Sequence, residues 1–154
     1  MNKLVKWTCI TASLFVLMSV ISYAGETPAE REIKKLINKR TDVMESVLFG
    51  QITYEEGCRQ LKEIEIGSLY DEDVEQLRVY RNSDCAKTER TEFINVKQKT
   101  QMYDKTSFEV KIKWTEYYGQ QRCSNLCIYD VGAQVRDGDY KLTTFKIQKD
   151  LKTY

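Results

Sequence analysis

The chain has 154 residues, with 24 Lys and Arg against 23 Asp and Glu, which gives a formal net charge of +1. Because basic and acidic residues are nearly equal in number, there is no electrostatic reason to expect nucleic acid or an anionic membrane as the main partner. The sequence contains no histidine, so it cannot supply Ser-His or Cys-His nucleophile pairs or the usual histidine metal sites.

The first 24 residues have the pattern of a secretory signal peptide. Lys3 and Lys6 precede an uncharged apolar run over residues 7–21, and small residues follow, so we expect cleavage between Ala24 and Gly25. The alternative is a retained membrane anchor, although the run is shorter than the roughly 20 residues that a spanning helix needs. Residues 25–154 are then one domain, secreted or held in the cell envelope or periplasm.

The first part of that domain predicts a helix from a capping box to Gly50. Thr27 and Glu30 form the box, and Pro28 takes the first helical position. An apolar stripe at helical spacing contains Ile33, Leu36, Ile37, Met44, Val47 and Leu48. Arg40 falls on this stripe, where it either reaches a buried anion or extends its charged head to water. We expect the second.

Two further helices follow. Thr53 begins another capping-box pattern, after which Tyr54, Cys58, Leu61 and Ile64 recur at helical spacing. A third helix is predicted over about residues 69–81, with Tyr70, Val74 and Leu77 on its buried side. Its first turns carry Asp71, Glu72, Asp73 and Glu75. We expect a solvated helix start here, because the glycine and alternating ligands of a calcium loop are missing.

From residue 91 the apolar period changes to two, which predicts strands. Phe108, Val110, Ile112 and Trp114 alternate with polar residues and should face the core. A turn at residues 103–105 would place Ile94 opposite Trp114 and Val96 opposite Ile112. The outer face then carries Lys97, Lys99, Lys111 and Lys113. We interpret these lysines as an ordinary solvated face rather than an anionic docking patch.

Asp137-Gly138 is the strongest hairpin signal in the chain, because this pair suits a type I′ turn. The turn would place Val135 opposite Tyr140 and Ala133 opposite Leu142. Strands are therefore predicted over roughly residues 126–136 and 139–148. Helices followed by strands indicate an α+β domain, with three N-terminal helices packed on one face of a curved antiparallel sheet of about four strands.

Residues 135–142, VRDGDYKL, resemble the closing hairpin of the nuclear transport factor 2-like superfamily. The helices and meander over residues 27–148 are similar in plan to that superfamily, and a cystatin-like arrangement also fits. The resemblance implies a cone in which helices and a bent sheet enclose a pocket. It also implies that two copies can pair through the sheet.

Residues 25–154 contain four cysteines, Cys58, Cys85, Cys123 and Cys127. An even number in an exported chain indicates disulfides. We expect Cys58 to pair with Cys85 across a helical hairpin, closing a loop of about 28 residues worth roughly 3–4 kcal/mol. Cys123 and Cys127 can join if Ser124-Asn125 makes a turn, which we also expect. A four-thiolate zinc site is the rival, but its paired short cysteine motifs are missing.

Acid and tyrosine pairs are the remaining candidates for proton transfer. Asp130 lies beside Tyr129, and Glu116 lies beside Tyr117 and Tyr118. Each is more simply a strand residue next to a tyrosine that anchors the rim of the core. We therefore predict no catalytic, cofactor-binding or metal-binding residue and expect that the protein is not an enzyme.

The predicted function is an exported, non-catalytic module that binds a protein partner or a small apolar ligand, with no nucleic acid and no cofactor. Its pocket or interface would use the aromatic residues of the sheet, Trp114, Tyr118, Tyr129 and Tyr140. One alternative is an accessory subunit of a cell-envelope assembly, similar to exported domains of type IV secretion or conjugation systems; a membrane contact would require that the signal segment be retained. A second is a lyase or isomerase using Asp130 and Tyr129.

Overall fold

A computed structural model describes residues 25–81 and 85–152. Three helices precede four strands: α1 (Pro28–Leu48), α2 (Tyr54–Ile64), α3 (Ser68–Tyr80), β1 (Lys87–Met102), β2 (Lys105–Tyr118), β3 (Gln121–Arg136) and β4 (Asp139–Lys152). The strands form one antiparallel sheet in the order β1-β2-β3-β4. This confirms the predicted α+β fold, with its helices before its sheet.

The predicted signal segment, residues 1–24, lies outside the described residues. Of the helices in residues 25–81 and 85–152, none combines the length and the apolar character needed to cross a membrane.

Local sequence sets the starts of α1 and α2, as predicted. The amide of Glu30 donates to Thr27 Oγ1 at 3.2 Å, and the amide of Thr27 donates to Glu30 Oε2 at 2.8 Å. At α2 the amide of Glu56 donates to Thr53 Oγ1 at 3.2 Å. These bonds satisfy amides that have no partner within their helix.

The core lies between the helices and one face of the sheet. Phe108, Val110 and Ile112 are fully buried, and Trp114 is 8 % exposed, whereas Lys113 is exposed. The helices contribute Ile33, Ile37, Leu61 and Leu77, all fully buried. The alternation along β2 therefore predicted the buried face correctly.

The two predicted hairpin registers had different outcomes. In β3 and β4, Val135 pairs with Tyr140 and Ala133 pairs with Leu142, which confirms the prediction. In β1 and β2 the prediction was wrong, because Trp114 pairs with Thr91 and Ile112 pairs with Phe93. Irregularities interrupt β1 at three places, one of them at Ile94, which is 48 % exposed. A bulge adds a residue to one strand of a pair, so the partners beyond it cannot be found by counting residues outward from the turn.

The predicted disulfides are not formed, since Cys58, Cys85, Cys123 and Cys127 are free thiols. Cys123 and Cys127 lie on the continuous strand β3, which has no turn at Ser124. Four residues of extended strand span about 13 Å, whereas bridged Cα atoms lie within about 7 Å. Extension of β3 beyond the predicted start at residue 126 thus separates these two thiols.

A close contact between α1 and α2 occurs at Gly57, which is buried. A Cβ atom at this position would overlap Cγ2 of Val47 and would lie 3.8 Å from Cδ1 of Leu77. The missing side chain therefore lets the two helices approach, and a close approach of this kind is a regular use of glycine.

Replacing Gly57 with alanine tests this contact. Alanine is the better helix former by about 1 kcal/mol. Its methyl group would nevertheless overlap Val47, so we expect the free energy of unfolding to fall by about 1–3 kcal/mol. In a V47A background the overlapping methyl is absent, and G57A should then be neutral or stabilising. Urea unfolding of the wild type, both single variants and the double variant measures the coupling. Additive effects would contradict the contact.

Candidate functional site

Arg40 lies between two buried carboxylates, and we call Arg40, Glu65 and Asp73 the Arg40 triad. Its Nε donates to Asp73 Oδ2 and its Nη2 donates to Asp73 Oδ1, both at 2.6 Å. Oε1 of Glu65 lies 3.1 Å from the same Nε. The side chains of Asp73 and Glu65 are 1 % and 0 % exposed. A two-point contact between guanidinium and carboxylate is the strongest form of this ion pair.

The triad overturns two predictions. Arg40 does not extend its head to water, and Asp73 does not belong to a solvated helix start. The physical reason is the rotation of α3, whose buried residues are Leu69, Asp73 and Leu77. The prediction used Tyr70, Val74 and Leu77, of which Leu77 is buried and the other two are only partly buried. The sequence did contain a signal for this pair: Asp73 falls among the apolar residues of α3, and Arg40 falls among those of α1.

Glu65 is the member of the triad whose carboxylate charge would not be balanced, because the one cation, Arg40, is bonded to Asp73. Both its carboxylate oxygens are buried and lack a hydrogen-bond partner among the described residues, because the N–H of Arg40 Nε is directed at Asp73. Burial and the neighbouring Asp73 raise the pKa of Glu65 to about 9, while Arg40 opposes the rise. Two acids that share one cation in a dry site cannot both ionise cheaply. Glu65 is therefore protonated at neutral pH.

Three aromatic side chains extend from the triad into the sheet, and we call Phe145, Tyr129 and Trp114 the aromatic row. The guanidinium of Arg40 lies 4.7 Å from the ring centroid of Phe145. Phe145 stacks on Tyr129 with centroids 4.4 Å apart. Trp114 meets Tyr129 edge to face at 6.3 Å, and its Nε1 donates to the Tyr129 hydroxyl at 2.8 Å. Each ring comes from a different strand, so the row joins β2, β3 and β4 to α1.

The aromatic row forms one wall of a cavity of about 380 Å³, which we call the α1 cleft. Arg40 and Thr41 of α1 also line it. Ile147, 62 % exposed, lines the cleft from β4. Its polar lining includes Glu116, Asn125 and Asp150. The cleft thus combines a preformed apolar wall with several polar and charged groups.

Burial controls the titration of the groups inside the cleft. It raises the pKa of the Tyr129 phenol, against the hydrogen bond from Trp114. It likewise raises the pKa of the Cys127 thiol, whose Sγ lies 3.8 Å from Asp150 Oδ1. Tyr129 and Cys127 therefore stay protonated at neutral pH and are poorly suited to act as base or nucleophile. Burial, and then the charge of Glu45, raises the pKa of Glu116, while a hydrogen bond from Asn125 lowers it.

The predicted site residues are only partly brought together. Trp114 and Tyr129 line the α1 cleft, whereas Tyr118 is 61 % exposed and Tyr140 lines a separate cavity beside Pro28. Phe145 completes the aromatic row but was not among the predicted site residues, because the prediction of β4 rested mainly on its turn.

The two candidate acid and tyrosine pairs lie on strands, where neighbouring side chains alternate between the two faces of the sheet. Asp130 follows Tyr129 on one strand, so its side chain lies on the opposite face, where it contacts Lys99 at 3.1 Å. Glu116 lines the α1 cleft, but Tyr117 points to the other face of β2 and is 39 % exposed. In residues 25–81 and 85–152, no group of three or more Cys, Asp or Glu side chains is arranged to hold a metal ion.

No protein-family model and no curated protein sequence matches this chain. The resemblance carried by residues 135–142 stays a prediction.

Removing Arg40 should be far more costly than removing an exposed arginine. Arg40→Met leaves Asp73 and Glu65 buried without a cation, which should lower the free energy of unfolding by about 3–5 kcal/mol. The matched control is Arg59→Met. Arg59 is 63 % exposed and contacts Glu56 and Glu63, and its loss should have little effect, because ion pairs between exposed side chains contribute little to stability. Urea unfolding at neutral pH compares them, and equal losses would contradict a structural role for the triad.

The raised pKa of Glu65 predicts that stability falls as pH rises. Between about 4.5, its ordinary pKa, and about 9 the folded state keeps a proton that the unfolded state releases. The free energy of unfolding should therefore decrease across this range, by up to about 1.4 kcal/mol per pH unit. Glu65→Gln carries no titrating group and should flatten the profile. Glu63→Gln, at an exposed site, is the control. An unchanged profile in the Glu65 variant, from urea unfolding at several pH values, would refute this assignment.

Proposed function

We propose that this protein is an exported, non-catalytic binding module whose α1 cleft receives an apolar group, either a small molecule or a side chain of a protein partner. The observation that carries the proposal is the cleft itself, a cavity of about 380 Å³ with Trp114, Tyr129 and Phe145 on one wall. Export is supported by the signal-like pattern of residues 1–24.

Rigidity of the aromatic row supports a binding role. Tyr129 is fixed by stacking on Phe145 and by the hydrogen bond from Trp114. Phe145 is held in turn under Arg40, whose position is set by Asp73. A wall that is already ordered loses little conformational freedom when a ligand arrives, so more of the contact energy appears as affinity.

Ile147 supports the same conclusion from the mouth of the cleft. It is 62 % exposed and pairs across the sheet with Tyr129. An isoleucine left in water at the edge of an apolar cavity gains about 25 cal/mol for each Å² that a ligand covers. A bound apolar group would therefore cover the wall and the mouth together.

Binding is favoured over the lyase or isomerase alternative by the placement of the ionisable groups. Tyr129 is protonated and accepts a hydrogen bond from Trp114, while Asp130 lies on the outer face with Lys99. A general base must lie within hydrogen-bond reach of the proton that it removes, and these two groups face opposite ways.

The accessory-subunit alternative has a different observation in its favour. At the β1–β2 turn Met102 is 68 % exposed and Tyr103 is 95 % exposed. Tyr103 has a φ of 55°, which costs a residue with a side chain of this kind roughly 1–2 kcal/mol. An aromatic residue held in water at a strained position suits contact with another protein.

Binding of Nile red, a neutral apolar dye, tests the proposed function. The full chain should bind the dye saturably at one site and increase its fluorescence. Ile147→Asp should raise the dissociation constant at least about tenfold, because it replaces roughly 1.5–3 kcal/mol of apolar burial with a charge.

The matched control is Ile94→Asp, since Ile94 is also an exposed isoleucine on an edge strand but does not line the cleft. This variant should bind the dye as the wild type does. Absence of saturable binding, or equal effects of the two substitutions, would refute the proposed use of the cleft.

A further inference from the structure

The polar lining of the α1 cleft has an excess of negative charge. Glu116 and Asp150 are its acids, and Arg40 is its base. Arg40 is already committed to Asp73 through two hydrogen bonds of 2.6 Å. Its positive charge is therefore neutralised inside the protein, and the two acids determine the charge that a ligand meets.

A second cavity, of about 400 Å³, adjoins the cleft and extends the same charge toward β1. Thr41 and Thr88 line both cavities. The second cavity carries Asp42 and Glu45 among its lining residues, against Arg90. Its third acid, Glu89, is paired with Arg122 at 2.7 Å. Glu45 accepts a hydrogen bond from the amide of Thr88 at 2.8 Å, so its carboxylate is held at the junction.

Glu116 is the acid best placed to meet a ligand that contacts the aromatic row. It follows Trp114 by two residues on β2, so both side chains lie on the inner face and line the cleft. It is half-buried. A carboxylate that is partly removed from water beside other acids gains from an added cation more than a solvated one does.

We infer that the ligand of the α1 cleft is an organic cation, in which a protonated amine or guanidinium is carried on an apolar body. This inference rests on the proposed function, because it names the chemical class of the ligand. The cationic group pairs with Glu116, and the apolar body lies against the aromatic row and Ile147. Proximity to Trp114 and Tyr129 adds attraction between the cation and the electron-rich ring faces.

An anionic ligand fits the same cleft poorly. It would face Glu116 and Asp150, while the edge of Arg40 formed by Nε and Nη2 is occupied by Asp73. A neutral ligand would leave Glu116 without its compensating charge. Charge complementarity therefore selects a cation among ligands with equal apolar bodies.

Calorimetric titration of the full chain with matched aromatic probes tests the inference. Phenethylamine, phenethyl alcohol and hydrocinnamate share a ring and a short chain but carry positive, neutral and negative ends. We expect the amine to bind at least tenfold more tightly than the alcohol, and the acid more weakly than either. Glu116→Gln should bring the amine to the affinity of the alcohol. Glu109→Gln, on the outer face of the same strand, should leave the preference intact.

A further titration arm distinguishes two sources of the cation. N-acetyl-lysine amide carries the amine as a side chain on a blocked backbone. If it also binds in a Glu116-dependent manner, the ligand class includes a basic side chain of a protein partner. If phenethylamine alone binds, the ligand is a small free amine. Both results support an organic cation.

The Nile red experiment separates failure of this inference from failure of the proposed function. If Nile red binds in an Ile147-dependent manner while phenethylamine binds no more tightly than phenethyl alcohol, the inference is overturned and the apolar binding role stands. A preference that survives in the Glu116 variant, or tighter binding of hydrocinnamate, also overturns it. Absence of Nile red binding overturns both.

Discussion

The contact between Arg40 and Asp73 is the constraint on which the rest of the structure depends. It joins residues 33 positions apart in the sequence and fixes the rotation of α3 against α1. Glu65, at the end of α2, contacts the same guanidinium, so all three helices meet at one charge. A buried ion pair often adds little net stability compared with apolar residues of the same size, but it is costly to break and restricts the packings that are allowed.

The same arginine also organises the cleft. Asp73 binds the edge of the guanidinium formed by Nε and Nη2, and the flat face of the guanidinium covers the ring of Phe145. Phe145 then orders Tyr129, and Tyr129 receives the hydrogen bond from Trp114. A helix-to-helix contact therefore sets the shape of a cavity on the sheet. Structural and functional roles are coupled in this protein through packing rather than through a moving part.

Much of the fold could be predicted because its determinants are local. The capping residues Thr27 and Thr53 mark helix starts, and the alternation around Trp114 identifies the buried face of β2. Asp137-Gly138 fixes a register because the turn has two residues and little freedom.

The predictions that were wrong concern residues whose placement depends on partners far away in the sequence. The burial of Asp73 makes sense only with Arg40 beside it, and no pattern within α3 contains that information. The register of β1 depends on bulges whose positions the alternation does not reveal. The thiols of Cys123 and Cys127 are separated because pairing with β2 keeps β3 straight. The residues of the cleft could be predicted only in part: Trp114, Glu116 and Tyr129 could be named from the sequence, whereas Phe145 and the contact that joins it to Tyr129 required the pairing of β3 with β4.

The interruptions in β1 have a consequence for how the molecule behaves in a crowded solution. This strand is an outer strand of the sheet, and its hydrogen-bonding groups toward solvent are displaced at three points along its 16 residues. A foreign strand that tried to align there would find no continuous ladder, and it would also meet Lys97 and Lys99. Sheets protected in this way resist the strand-by-strand growth that leads to fibrils.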